Sequence, residues 1–224
     1  MTFGYCHLNP GNHTGVIEVI QSSVEDLELP YQVDIIVSEW MGYILLRESM
    51  LDSVIRARNN WLKADTGCMF PSHATMYFAA ISNEEDRHSK VQEYNTSMNE
   101  WDKFVVEMKQ YYSVDMKVFE QSFDREQADY YIYSALWTEL HPGHVIGRPI
   151  VIKKLDINTC TLEDAEGVAA MSYDITIPSS VRISGFAGWF TVDFHGSAQN
   201  PAPNRVTLST GPEAGYTHWG QQVN

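Results

Sequence analysis

At 224 residues the chain is long enough for one large domain or two small ones, and its 44% hydrophobic and 12% aromatic content is that of a globular protein. A formal charge of −14, from 29 acids against 15 bases, disfavours nucleic acid and favours cationic partners. No stretch is long and apolar enough to span a bilayer, the N-terminal MTFGYCHLNPGNHTG lacks the regions of a signal peptide, and three distant cysteines (Cys6, Cys68, Cys160) suit free thiols in a reducing compartment.

VIEVI at 16–20 reads as a strand, followed by the acidic turn segment VEDLELP that Pro30 ends. VDIIV at 33–37 is short and almost wholly apolar, the pattern of a strand buried on both faces in a parallel sheet. Gly42 interrupts the loop after it. RESMLDSVIRARNNWLKA then spaces Met50, Leu51, Val54, Ile55, Arg58, Trp61 and Leu62 along one helical face, with Arg56, Asn59 and Lys63 outward and Gly67 just beyond as a stop. Strand, turn, strand, loop and helix make half of an open α/β sheet.

Pro71, in MFPSHATMYFAAI, marks the expected change of domain. Residues 83–144 are acidic, aromatic and helix-like, with Trp101, Phe104, Tyr111, Tyr112, Tyr130, Tyr131 and Trp137 as anchors. From about 146 the signal is β. WFTVDFH at 189–195 alternates Phe190, Val192 and Phe194 with Thr191, Asp193 and His195, and YDITI and RVTLS alternate less strongly. The expected fold is α/β plus β: an open α/β sheet, then an antiparallel barrel or sandwich interrupted by a helical insertion.

SEWMGYILLRESML at 38–51 sets two glutamates, Glu39 and Glu48, in an apolar run. Glu39 lies two residues past Val37, at the carboxyl end of a strand, where open α/β sheets bind ligands. Glu48 lies near the next helix start, where a carboxylate is favoured. The piece between can fold back so that both acids face one pocket, with Trp40, Met41, Tyr43 and Met50 as walls. Paired carboxylates serve glycoside hydrolysis, a metal, or a bidentate clamp on a guanidinium; no third acid or nearby histidine stands at ligand spacing, and plain caps or solvated loop residues remain an alternative. TGPEAGYTHWGQQ at 210–222 adds Thr217, His218 and Trp219 in a Gly-rich turn, a platform for a flat cation. HPGH at 141–144 reads as a plain loop, and the NTS triplet at 95–97 as chance.

SEWMGYILLRESML resembles the double-glutamate loop of protein arginine methyltransferases, and YTHW their Thr-His-Trp loop. ESMLDSVIRARNNWLK, YYSVDM and THWGQQV fit the same family, and RESM, FPSHA and GFAGWF its plant-type tenth member. The resemblance runs from about residue 16 to the end. It implies the C-terminal part of a Rossmann-like domain over 1–70 and a β-barrel over 71–224 with a dimerisation arm at about 83–144.

It further implies methyl transfer from S-adenosyl-L-methionine to arginine in proteins, giving monomethyl and asymmetric dimethyl products. Glu39 and Glu48 would bind the guanidinium, with Glu48 or His218 taking the proton. Trp219, Tyr43 and Met50 would line the arginine site, Met50 near the reacting methyl, and Val24 and Glu25 would hold the adenine. The implied partners are Arg/Gly-rich tails, histones and a second copy of the chain, without nucleic acid or membrane, in cytoplasm or nucleus. Residues 1–15 hold Gly4, Gly11 and Gly15 but no strand–turn–helix for the cofactor's amino-acid end, so the chain is expected to be a piece of the family pattern at both ends. A non-catalytic subunit that pairs with an active enzyme, or binds arginine-rich tails, is the alternative.

Overall fold

Short β-branched runs and one long amphipathic helix organise the first part of the chain. The computed structural model describes residues 3–7, 16–177 and 180–224. Strand β1 (Phe3–His7) pairs antiparallel with β2 (Val16–Ile20), from Phe3 opposite Ile20 to His7 opposite Val16. The sequence expects no strand–turn–helix over residues 1–15; Phe3–His7 form a strand that gives the β-prone VIEVI run a partner for its hydrogen bonds. Gly11 and Gly15 lie outside the described residues.

Strand β3 (Ile35–Val37) runs parallel to β4 (Cys68–Phe70), joined by helix α1 (Leu51–Trp61) in the expected strand–loop–helix–strand order. The helix buries Leu51, Val54, Ile55, Ala57 and Trp61, the large ones contributing roughly 1.5–3 kcal/mol each. It begins four residues after Arg47 and ends before Leu62, whose extended backbone caps it. Arg58 ties α1 down by donating to the carbonyls of Ile157 (2.8 Å) and Cys160 (2.7 Å). Burial next to Arg58 nevertheless pushes the Cys160 thiol up, because desolvation outweighs the guanidinium. The two-sided burial expected of β3 does not hold: Ile35 is 55% and Val37 72% exposed. Among the described residues β3 pairs with β4 alone, and its outer face carries no cover.

A cis Phe70–Pro71 bond precedes β5 (His73–Ile81). Helix α2 (Glu84–Tyr112) starts on an Asn83 side chain that accepts from Asp86 N–H, has three acids in its first turn, and ends on left-handed Ser113. Helix α3 (Glu120–Ala128) packs back on it through Trp101 stacked on Phe123 (4.4 Å), the Tyr94–Asp124 hydrogen bond, and Ser97 donating to Gln127 (2.7 Å). That bond to Asp124 raises the Tyr94 phenol. A π-helical turn, Asp129–Tyr133, closes the helical part ten or so residues earlier than the pattern suggested, because strand β6 (Leu136–Thr138) follows.

Strand β7 (Val145–Asp156), short helix α4 (Leu162–Ala165), β8 (Gly185–Gly196), β9 (Pro201–Ser209) and β10 (Gln221–Val223) complete the chain. A capping box between Thr161 and Asp164 starts α4 and lowers the Asp164 carboxyl. The sheet runs β6–β10–β8–β5–β7 with β9 on β8; β10 is antiparallel to both neighbours. In β8 Phe190 and Val192 are buried as alternation requires, and Phe194 is half-buried. Among the described residues YDITI at 173–177 forms no strand, although it alternates.

The chain divides into two compact units. The first gathers the described residues up to Met76 with Ile152–Met171 and Phe190–Ser209; the second holds Tyr77–Val151, Ser172–Trp189 and Thr210–Asn224. The first is cored by Val24, Val33, Ala57 and Trp61, the second by Ala79, Ile81, Leu140, Ala187, Trp189 and Val223. Cys68 and Cys160 are free, buried thiols, and no described helix is long and apolar enough to cross a membrane.

Candidate active site

Loop 38–50 leaves the carboxyl end of β3 and returns to the start of α1. Trp40, Met41 and Leu45 are buried, Trp40 to 1% exposure, so they root the loop in the core and do not form pocket walls. Their anchoring turns the polar positions outward. Glu39 and Glu48 are both exposed. Tyr43 is exposed beside them, and Met50, expected inside the helix, is its half-buried N-cap.

The loop's geometry is tightly specified. Gly42 and Leu45 exchange two backbone hydrogen bonds of 2.9 Å, and Met41 N–H donates to Glu39 Oε1 at 3.1 Å. Ile44, Leu45 and Ser49 take positive φ angles of 45°, 69° and 53°. Such conformations cost on the order of 1–3 kcal/mol each in non-glycine residues, most for a β-branched one, and collect at functional sites. Ser38 Oγ and Trp40 Nε1, on either side of Glu39, are buried without a protein partner.

Val24 and Glu25 sit on the turn before β3. Val24 packs into the first unit's core. Ser53 of α1 donates to Glu25 Oε1 at 2.5 Å, and this bond, followed by Glu25's own amide, holds the carboxyl below its usual range. An exposed carboxylate with one oxygen engaged can accept from an exocyclic amine through the other, so this turn fits the adenine end of a nucleoside cofactor. No Gly-rich strand–turn–helix for the amino-acid end occurs among the described residues. Nor do the described residues hold three metal-ligating groups together.

His218 and Trp219 belong to the second unit. Their rings lie 3.8 Å apart at 35°; His218 is exposed and Trp219 buried. The indole of Trp137 donates to the His218 carbonyl at 3.2 Å. Buried Gln221 donates to Thr210 O and accepts from Leu140 N–H, both at 2.7 Å, closing the base of the loop. The sequence reading assigns Trp137 to the arm and gives Gln221 no role; the Gln221–Gln222 pair in a terminal β run is the available signal. Gly42 reads from the sequence as a simple loop breaker.

A family model, the arginine methyltransferase oligomerization subdomain, matches residues 72–224. The chain belongs to the protein arginine methyltransferase family. Protein arginine N-methyltransferase PRMT10 of Oryza sativa subsp. japonica is 48% identical over 212 residues, covering 93% of this chain and 54% of the relative. The Arabidopsis thaliana PRMT10 is 47% identical over 210 residues, with the same coverage of 93% and 54%. A crystal structure of the Arabidopsis enzyme, described as uniquely open, superposes with a TM-score of 0.86 at 46% identity, over 92% of this chain and 59% of that one. A Trypanosoma brucei PRMT1 enzyme–prozyme heterotetramer with AdoHcy gives 0.62 at 28% identity, over 91% and 55%. The chain thus spans about half the length of the curated methyltransferases it matches.

Proposed function

We propose that this chain carries the arginine-binding loops of an S-adenosylmethionine-dependent protein arginine methyltransferase, with Glu39 and Glu48 as the guanidinium clamp. The observation that carries this reading is a pair of exposed carboxylates on one strained, core-rooted loop at the carboxyl end of β3. A guanidinium presents a rigid fork of donors, which two carboxylates can meet bidentately. Their hydrogen bonds draw its positive charge toward the bonded nitrogens and leave electron density on the third. Bound S-adenosylmethionine supplies a methyl on a positively charged sulfur. The chain's own part is to orient and polarise the arginine before transfer. Val24 and Glu25 would hold the adenine, and Tyr43 and Met50 would flank the arginine. Glu48 would accept the released proton.

Arg/Gly-rich tails and histones are the substrates this chemistry favours, with monomethyl and asymmetric dimethyl products, and the −14 charge would steer them in. The helical arm, α2 to Tyr133, is the surface for a second copy: Val106, Tyr111, Tyr112, Val118 and Phe119 are each exposed on it. The decisive experiment is transfer of labelled methyl to an Arg/Gly-rich peptide by the wild type and by Glu48→Gln, with binding of the same peptide measured alongside. Transfer that the substitution abolishes supports the reading. Peptide binding that ignores Glu48→Gln overturns it.

A non-catalytic subunit is the second reading. Peptide binding that depends on Glu48, without transfer, would select it.

A further inference from the structure

Gly42 is the residue of loop 38–50 whose lack of a side chain the geometry uses. A Cβ built on it would lie 2.7 Å from Glu48 Cγ, 2.8 Å from Glu48 N and 2.9 Å from Glu48 Cβ. All three are closer than carbon tolerates, and one is backbone, so rotating the Glu48 side chain cannot relieve the overlap. Gly42 has no positive φ, unlike Ile44, Leu45 and Ser49, so the position needs glycine for closeness and not for conformation. The hydrogen bonds between Gly42 and Leu45 hold it in place, and Leu45 is itself buried to 1% exposure. The loop is therefore folded back until the start of its turn touches the acid near its end.

We infer that Gly42 is a positioning residue for Glu48: the bare backbone at 42 is the surface on which the stem of Glu48 rests, and it sets where that carboxylate meets the guanidinium. This rests on the arginine-clamp reading. Glu39 is located differently, by its hydrogen bond from Met41 N–H, so the two acids have separate supports. Positioning errors of about 1 Å cost on the order of 100-fold in well-oriented sites.

A double-mutant cycle tests this on the whole chain, titrating an Arg/Gly-rich peptide calorimetrically into wild type, Gly42→Ala, Glu48→Gln and the double variant. Loss of one charge-assisted hydrogen-bond partner predicts at least about 10-fold weaker binding for Glu48→Gln. Gly42→Ala should weaken binding comparably, and the double variant should bind within about 2-fold of Glu48→Gln alone, because coupled residues do not add. A merely destabilising alanine would give additive losses, and additivity overturns the inference. So does a Gly42→Ala variant that binds like wild type. If Glu48→Gln leaves binding intact, or the wild type does not bind, the arginine-clamp reading itself fails and takes this one with it. Should Gly42→Ala not fold, the wild-type Gly42 amide resonance serves instead. It should shift on saturation with peptide in wild type and shift less in Glu48→Gln, and a shift indifferent to residue 48 overturns the inference.

Discussion

The double-glutamate loop and the Thr-His-Trp loop meet the same problem, a sharp reversal with functional side chains on it, in opposite ways. In the Thr-His-Trp loop the unusual backbone falls on glycines, Gly215 at φ 85° and Gly220 at φ 50°, which adopt it without steric cost. In the double-glutamate loop it falls on Ile44, Leu45 and Ser49. There the side chains are needed elsewhere: Leu45 anchors the loop in the core, and a glycine in its place would free the segment that carries Glu48. The second loop is braced from outside by Trp137 and Gln221, the first from inside by Trp40, Met41 and Leu45. Strain is borne where buried side chains root the loop that carries Glu48, and avoided where glycines make the turn.

The largest effect that sharpens this contrast is on chemistry. Glu48→Gln should lower methyl transfer by at least about 100-fold, in the range lost when one preorganised polar group is removed from a reacting centre. His218→Ala should cost less; an equal loss would erase the distinction between clamp and platform.

Next in size is stability. A methyl at Gly220 would overlap Trp137 Nε1 in a left-handed backbone, whereas at Gly215 it meets nothing within 4 Å. Gly220→Ala should therefore destabilise by about 3 kcal/mol, strain plus overpacking, and Gly215→Ala by about 1 kcal/mol, strain alone. Thermal unfolding separates them, and equal losses would mean that Trp137 yields freely.

On the arm, Tyr111→Asp with Val118→Asp should shift the weight-average mass toward monomer in sedimentation equilibrium while leaving helix content unchanged, since both side chains are exposed.

Two smaller effects concern the first unit. Ser53→Ala should return the Glu25 carboxyl toward its ordinary value in a carbon-detected titration. Because the folded value is the lower one, Glu25's contribution to stability is present above the ordinary glutamate range. It is lost as pH falls through the lowered value. Ser49→Gly relieves a left-handed residue at an exposed position, so stability should change by less than about 1 kcal/mol. Peptide affinity should still fall a few-fold as the hinge next to Glu48 loosens.

Much of this was legible in the residues. The 3.6-residue spacing of Leu51, Val54, Ile55 and Trp61 located α1, and the β-branched run before Glu39 located β3, because local periodicity is a direct image of which face is buried. The Glu39/Glu48 and His218/Trp219 pairs stood out by composition and by family resemblance. The burial of Trp40 and Met41, the exposure of Ile35 and Val37, the absence of a strand at 173–177 and the bracing by Gln221 were decided in three dimensions. Each depends on a partner distant in sequence or on the lack of one, and alternation says which way a side chain points but not whether anything stands opposite it. Gly42 belongs to the same class. Its glycine is visible in the chain, but the reason for it, Glu48 pressed against its α-carbon, exists only once the loop has folded back.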